Sequence, residues 1–285
     1  MAVTPRLVPS VQPGFDFSID APAKVNPFLH VLGQRADGYH DLQVGFELLN
    51  WGDHLHIDPA AHFEVSGIAG LPMESNLVTH AARALARDAG IEPRGHLWID
   101  KQTPAGAGLG GGSSDAASAL LALRTLWGLS TSDEALATIG RRLGADVPVF
   151  LGGRSAIGTG IGEHLTPVSF KPRWLLLCSS GNQIPTPQIF TDPGLTRNSS
   201  PITLRAALDG QGHNDCEPVC RRLFPDVDRL FASLANHRPK LSGTGGTVFI
   251  ELDASVGLES IKAALPSGTK TWVVSTTEYS SAVES

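Results

Sequence analysis

The chain has 285 residues, 41% of them hydrophobic, with 22 Lys and Arg against 28 Asp and Glu and a formal charge of −6. That length exceeds one average domain and favours two, around a sizeable core. No Lys/Arg cluster occurs and no apolar run approaches membrane-spanning length, which excludes nucleic acid and membrane as expected partners. An anionic ligand would have to be met locally, by a few cations, helix ends and metal ions.

The N-terminal segment, up to about residue 14, has neither a signal-peptide core nor the Arg/Ser bias of a transit sequence, and reads as a disordered arm. Phe15-Asp-Phe-Ser-Ile-Asp alternates as a strand. It delivers Ala21-Pro-Ala-Lys-Val-Asn-Pro-Phe-Leu-His30, with Lys24 and Asn26 on one face. A strand lysine is commonly a solvated edge residue, so this stretch alone leaves its role open. Gly33-Gln-Arg-Ala-Asp-Gly38 is a turn leading through Tyr39 and His40 to the apolar strand Val44-Gly-Phe-Glu-Leu-Leu. Asp53-His-Leu-His-Ile-Asp58 is expected to be a second, solvent-facing strand with His54 and His56 on one face. Asn76 precedes a helix over about 77–89 capped by Gly90, and strand 96–101 ends at Lys101.

Next comes Pro104-Ala-Gly-Ala-Gly-Leu-Gly-Gly-Gly-Ser-Ser-Asp-Ala-Ala117, five glycines and two hydroxyls opening into a helix whose apolar positions run to Trp127. Glycine removes the side chains that would hold a ligand away from backbone N–H groups, and a helix N-terminus adds positive potential; Ser113 or Ser114 is the expected N-cap. Together these make an anion site suited to polyphosphate. The G-K-[ST] ending of a Walker A loop is missing. A dinucleotide G-x-G-x-x-G reading fails on context, because Asp133 and Glu134 open a helix where a second parallel strand should end.

A helix from about Asp133 to Leu143 stops at Gly144, and Asp146 follows, two residues before Pro148 and a short apolar run. An N-cap role and a catalytic role for Asp146 both remain open here. The glycine-rich strand 155–162 closes the first domain, taken as 1–165, and a fresh pattern from Trp174 opens the second, 166–285. Ile184-Pro-Thr-Pro-Gln-Ile-Phe190 pairs rigid prolines with an aromatic, and 191–213 is loop-rich. His213 to Cys220 imitates a metal cluster, but Glu217 to Arg222 reads as a helix start. Lys240-Leu-Ser-Gly-Thr-Gly-Gly-Thr-Val-Phe-Ile-Glu251 is a second small-residue turn feeding a strand, and the tail after Thr277 reads as loose. Three cysteines do not describe a disulfide framework, so a cytoplasmic location is expected.

Three of these stretches, at 21–26, 104–117 and 241–249, resemble the three motifs of the superfamily named for galactokinase, homoserine kinase, mevalonate kinase and phosphomevalonate kinase, the GHMP kinases. Further stretches, Gly-Gln-Arg-Ala-Asp-Gly-Tyr-His, Gly-Ala-Asp-Val-Pro-Val-Phe and Ile-Pro-Thr-Pro-Gln-Ile-Phe, are similar to the branch acting on cytidine diphosphate methylerythritol. The resemblance implies a two-domain α+β/α/β fold: an ATP-binding domain, a smaller substrate-binding α/β sandwich, and an active site in the cleft between them. It implies phosphorylation of the substrate 2-hydroxyl by ATP in non-mevalonate isoprenoid synthesis, by a monomer or homodimer. Lys24 and Asp146 are then the catalytic pair. Pro104, Ala105, Gly106, Ala107, Gly108, Leu109, Gly110, Gly111, Gly112, Ser113 and Ser114 would hold the ATP phosphates, with Asn76 and Lys101 on the nucleoside part. Asn26, Tyr39, His40, Thr186 and Phe190 would line the substrate site. Phosphoryl transfer needs such a cradle, a cation and a group to orient the attacking hydroxyl. Mg²⁺ should bridge the phosphates, its protein ligands being unreadable beyond Ser113 and Ser114 as candidates. Asp115, beside the phosphates, calls for a compensating cation. The alternatives are a mevalonate or homoserine class kinase and an inactive nucleotide-binding module.

Overall fold

The computed structural model describes residues 3–59, 62–253 and 257–283. Strands β1 (Val8–Pro9), β2 (Phe17–Val25), β3 (Leu29–Gln34), β4 (His40–Asp58), β5 (Glu64–Ser66), β6 (His96–Asp100), β7 (Ala156–Gly160) and β8 (His164–Pro167) belong to the first half of the chain. Among them run α1 (Leu77–Ala89), α2 (Gly111–Leu126), α3 (Asp133–Leu143) and α4 (Val147–Gly152). The second half carries β9 (Trp174–Ser179), β10 (Lys240–Leu241), β11 (Thr247–Leu252) and β12 (Lys270–Thr277), with α5 (Thr186–Phe190), α6 (Leu204–Leu208), α7 (Glu217–Leu223), α8 (Pro225–Ser233) and α9 (Leu258–Ala264).

One β-sheet path, β1-β2-β4-β12-β9-β11-β10, runs through both halves. The joint is β12, which pairs antiparallel with β9 along most of its length and with β4 at Thr276 and Thr277. β4 is the organising strand. Its first part pairs with β3 and β7, and its last part with β2 and β6. The two strands expected at 44–49 and 53–58 are therefore one. The chain stays extended through Gly52, which lies against the Ala21 carbonyl of β2 with no room for a side chain.

α2 is enclosed on nearly every face from Ser114 to Leu123, because its run of alanines lets β2, α1 and α4 approach closely on different sides. Ile19, Leu48, Leu55, Val78, Leu85, Ile99 and Leu120 fill the core around it. α1 begins where Asn76 Oδ1 accepts from Val78 N at 2.9 Å and ends at a left-handed Gly90. α3 occupies the expected span, with Ser132 accepting from Ala135 N at its start.

Three expectations are corrected. The arm expected to be disordered is ordered from Val3: β1 pairs with β2, and Arg124 donates to the Val3 carbonyl at 2.6 Å. His56 does not face solvent, because this arm covers it; Ser10 Oγ bonds its Nδ1 at 2.8 Å and the Phe15 ring lies 6.3 Å away. The tail also docks, since Ser280 N donates to the Gly153 carbonyl and Arg6 N to Ala282 O, each at 2.8 Å. The first two and last two residues of these segments lie outside the described range.

Candidate active site

β2 carries Lys24 into the interior, where its side chain is 3% exposed. Its Nζ donates to Asn26 Oδ1 at 2.6 Å and to the Gly108 carbonyl at 2.8 Å, and lies 3.4 Å from Asp146 Oδ2. Asn26 is oriented in turn by donating from Nδ2 to Gly45 O at 2.8 Å. Asp146 occupies the N-cap position of α4 but makes no side-chain capping bond; it has helical backbone angles, and its carboxylate is 31% exposed beside Lys24. The capping explanation for this residue is thereby removed. The apolar run behind it is the helix α4, whose Phe150 packs under Gly110.

The glycine stretch passes between Lys24 and the second small-residue turn. Lys24 N donates to Leu109 O at 3.0 Å, and Ser242 Oγ donates to Gly108 O at 2.8 Å. Gly110, with φ +72°, is the N-cap of α2, so neither Ser113 nor Ser114 caps it. Both serines lie one step further on, inside the first turn. Ser113 reaches the cleft, whereas Ser114 is fully enclosed and its hydroxyl has no partner among the described residues.

Behind this turn stands a buried charge group. Lys101 Nζ donates to Asp53 Oδ2 at 2.5 Å and to Asp115 Oδ2 at 2.6 Å. Asp53 also accepts from Gln102 N, Thr103 N and Thr103 Oγ1, so it ties the end of β6 to the loop. Burial pushes the Asp115 carboxyl up to about 7 against the opposing pull of Lys101, and the Asp53 charge adds to the rise. Burial pulls Lys101 down, but its two carboxylates outweigh this and hold it above the usual lysine value. One cation against two carboxylates supplies the compensation that Asp115 called for.

Lys24, Asn26, Asn76, Lys101, residues 104–113, Asp146, Thr186 and Phe190 all line one cleft of about 590 Å³, joined by Thr244 and Asp115. Thr186 and Thr244 share a hydrogen bond of 3.1 Å between their hydroxyls. Tyr39 and His40 are not on that wall. Tyr39 is 62% exposed at the end of the β3–β4 turn, and His40 is buried, with its ring 5.2 Å from that of Phe190. Two residues of this region carried no signal of their own in the sequence. Asp53 read as an ordinary strand residue, and Arg197 as one more loop arginine, yet Arg197 bonds the His40 ring.

Residues 76–154, from the cap of α1 to the end of α4, match the GHMP kinases N terminal domain. The 4-diphosphocytidyl-2-C-methyl-D-erythritol kinase of Pseudomonas paraeruginosa (strain DSM 24068 / PA7) is 45% identical over 253 residues, covering 87% of this chain and 90% of that one. A crystal structure of 4-(cytidine 5'-diphospho)-2C-methyl-D-erythritol kinase superposes with a TM-score of 0.78 at 30% identity, over 91% of this chain and 98% of that one. Methanococcus jannaschii mevalonate kinase, 14% identical with a TM-score of 0.67 over 94% of this chain and all of its own, shares the fold. Identity and coverage of this order show that the chain belongs to the 4-diphosphocytidyl-2-C-methyl-D-erythritol kinase family of GHMP kinases.

Proposed function

We propose that the protein transfers the γ-phosphoryl group of ATP to the 2-hydroxyl of 4-diphosphocytidyl-2-C-methyl-D-erythritol, giving the 2-phosphate and ADP, in non-mevalonate isoprenoid synthesis. The observation that carries this reading is the Lys24–Asp146 pair, 3.4 Å apart in the wall of the cleft that the glycine stretch also lines. Backbone N–H groups of 104–113 and the start of α2 cradle the phosphates. Asn76 and Lys101 face the nucleoside part. Lys24, held by Asn26 and the Gly108 carbonyl, sets its charge against the transferring group, and Asp146 orients the attacking hydroxyl and takes its proton. A loose transition state develops little charge on the attacking oxygen until late, so a carboxylate is base enough.

Mg²⁺, when bound, neutralises charge on the phosphate oxygens. The donors on the cleft are oxygens, as this ion requires. Of the two serines at the start of α2, Ser114 is enclosed, and Asp115 is engaged by Lys101, so the Ser113 hydroxyl is the one that would hold it.

The nucleotide rests on residues 1–165, and residues 166–285 add Thr186, Phe190 and Thr244 to the substrate side. Phe190 favours a substrate with a ring over mevalonate or homoserine. A reducing cytoplasm suits the three cysteines, all buried and unpaired, with burial pushing the Cys178 and Cys220 thiols up to about 12. A coupled ADP assay tests the reading: turnover should require the cytidine substrate and be absent with mevalonate or homoserine. ADP release that ignores the acceptor, or that prefers another alcohol, would overturn it.

A further inference from the structure

Asp53, on β4, has no exposed surface, and both of its carboxylate oxygens are turned on the short segment 101–103. Oδ1 accepts from Gln102 N at 2.6 Å and from Thr103 N at 2.7 Å. Oδ2 accepts from Lys101 Nζ at 2.5 Å and from Thr103 Oγ1 at 2.6 Å. Strand pairing puts the residue there: Asp53 lies opposite Ala21 of β2, and its neighbour His54 opposite Asp100, the last residue of β6. Two of the four donors flank the start of α2. A Cβ on Gly111 would lie 2.1 Å from Thr103 Oγ1 and 3.0 Å from Lys101 Nζ. Lys101, Thr103 and Gly111 line the cleft, and Asp53 stands behind them.

A lysine ammonium has three donors on a flexible four-carbon stem. Asp53 and Asp115 occupy two of them, which fixes the stem and leaves one N–H for the cleft. The two carboxylates are unequal. Asp53 is anchored to the backbone by two amides, whereas Oδ1 of Asp115 has no partner among the described residues. Asp53 therefore sets where Nζ sits. We propose that Asp53 is a positioning residue for ATP: from behind the cleft wall it holds the Lys101 ammonium in place, with one N–H free, before the nucleotide arrives. The proposal rests on the reading above that Lys101 faces the nucleoside part of ATP. Without Asp53 the lysine would be ordered only on binding, and the affinity would carry that loss of rotamer freedom. A lost hydrogen bond to a charged group corresponds to roughly ten- to hundredfold in affinity.

Asp53→Asn separates this role from that of a tie between strand and loop. The amide oxygen still accepts both backbone N–H groups, while the –NH2 turns donors on Lys101 and on the Thr103 hydroxyl. The test measures calorimetric ATP affinity and steady-state kinetics for wild type, Asp53→Asn, Lys101→Met and the double variant. It adds the ¹⁵Nζ signal of Lys101 in nucleotide-free wild type, assigned by its loss in Lys101→Met. Asp53→Asn should weaken ATP binding and raise KM for ATP roughly tenfold, with kcat and KM for the cytidine substrate little changed. The double variant should lose no more than Lys101→Met alone. The wild-type signal should be that of a held, slowly exchanging ammonium; a freely averaging one would overturn the proposal even if Asp53→Asn fails to fold. Unchanged ATP affinity in Asp53→Asn, a loss that adds in full to that of Lys101→Met, or one shared by kcat and both KM values would overturn it too, leaving Asp53 as a structural tie. Unchanged ATP affinity in Lys101→Met would overturn the nucleoside reading of Lys101 itself, and the proposal with it.

Discussion

Gly108 and Ser242 are in backbone contact: a Cβ on Gly108 would lie 2.1 Å from the Ser242 carbonyl oxygen, while Ser242 Oγ donates to the Gly108 carbonyl at 2.8 Å. Two small-residue turns 134 positions apart are thus pressed together, and the carbonyl they share also receives Lys24 Nζ. Gly108 has φ +75°, so a side chain there is strained as well as obstructed.

Gly108→Ala should therefore lower stability by about 2 kcal/mol or more, and raise KM for ATP, by forcing the turns apart. Gly112 is the control, since nothing lies within 4 Å of its Cβ position and it sits in the first turn of α2. Thermal unfolding of the two alanine variants should diverge; a Gly108→Ala protein as stable as Gly112→Ala would contradict the contact. Gly110→Val should be worse for turnover than for folding alone, because its side chain would strike Phe150 and the Lys24 Cε that lies 3.1 Å from the Cβ position.

The glycine stretch, the helix it opens and the strand bearing Lys24 were legible in the sequence because each rests on local chemistry: backbone freedom, period and alternation. The pairing of Lys24 with Asp146 was not, since it depends on α4 turning back over Gly110, and only the family resemblance joined the two residues. Asp53 and Arg197 were illegible for a related reason. A strand aspartate and a loop arginine are ordinarily solvated, and only the assembled fold shows the amides and carbonyls they hold. The ordered arm was misread because its hydrogen-bond partners lie on β2 and α2, and on the tail beyond β12.

The buried group at Lys101 gives stability an unusual pH dependence. Asp115 has a folded value of about 7, above the 3.8 of an unperturbed carboxyl. Between those values the folded state holds a proton that the unfolded state has lost, so this contribution is present at low pH and is lost as pH rises through about 7. Wild type should lose thermal stability relative to Asp115→Asn between about pH 4 and 7, by a few degrees. Parallel profiles of the two proteins would show that Asp115 does not titrate in this window.

Stacking of a base on an aromatic face contributes about 1–3 kcal/mol, so Phe190→Ala should raise KM for the cytidine substrate roughly ten- to hundredfold. Tyr39→Ala should do the same if the exposed phenol closes over the opposite face of the bound ring. The check is KM for the cytidine substrate at saturating ATP. Unchanged KM in Tyr39→Ala would take that residue out of the pocket, and unchanged KM in both would remove the stacked base.

The most direct measurement is the single-turnover rate of Asp146→Asn with ATP and the cytidine substrate, alongside calorimetric affinities for both. The amide keeps the shape and the contact with Lys24 but loses the charge and the basicity. A proton-accepting Asp146 predicts a rate lower by about 10²–10⁴-fold with both affinities little changed. A variant that keeps more than about a tenth of the wild-type rate, far short of that general-base contribution, would contradict the assignment of the 3.4 Å Lys24–Asp146 pair as the catalytic centre.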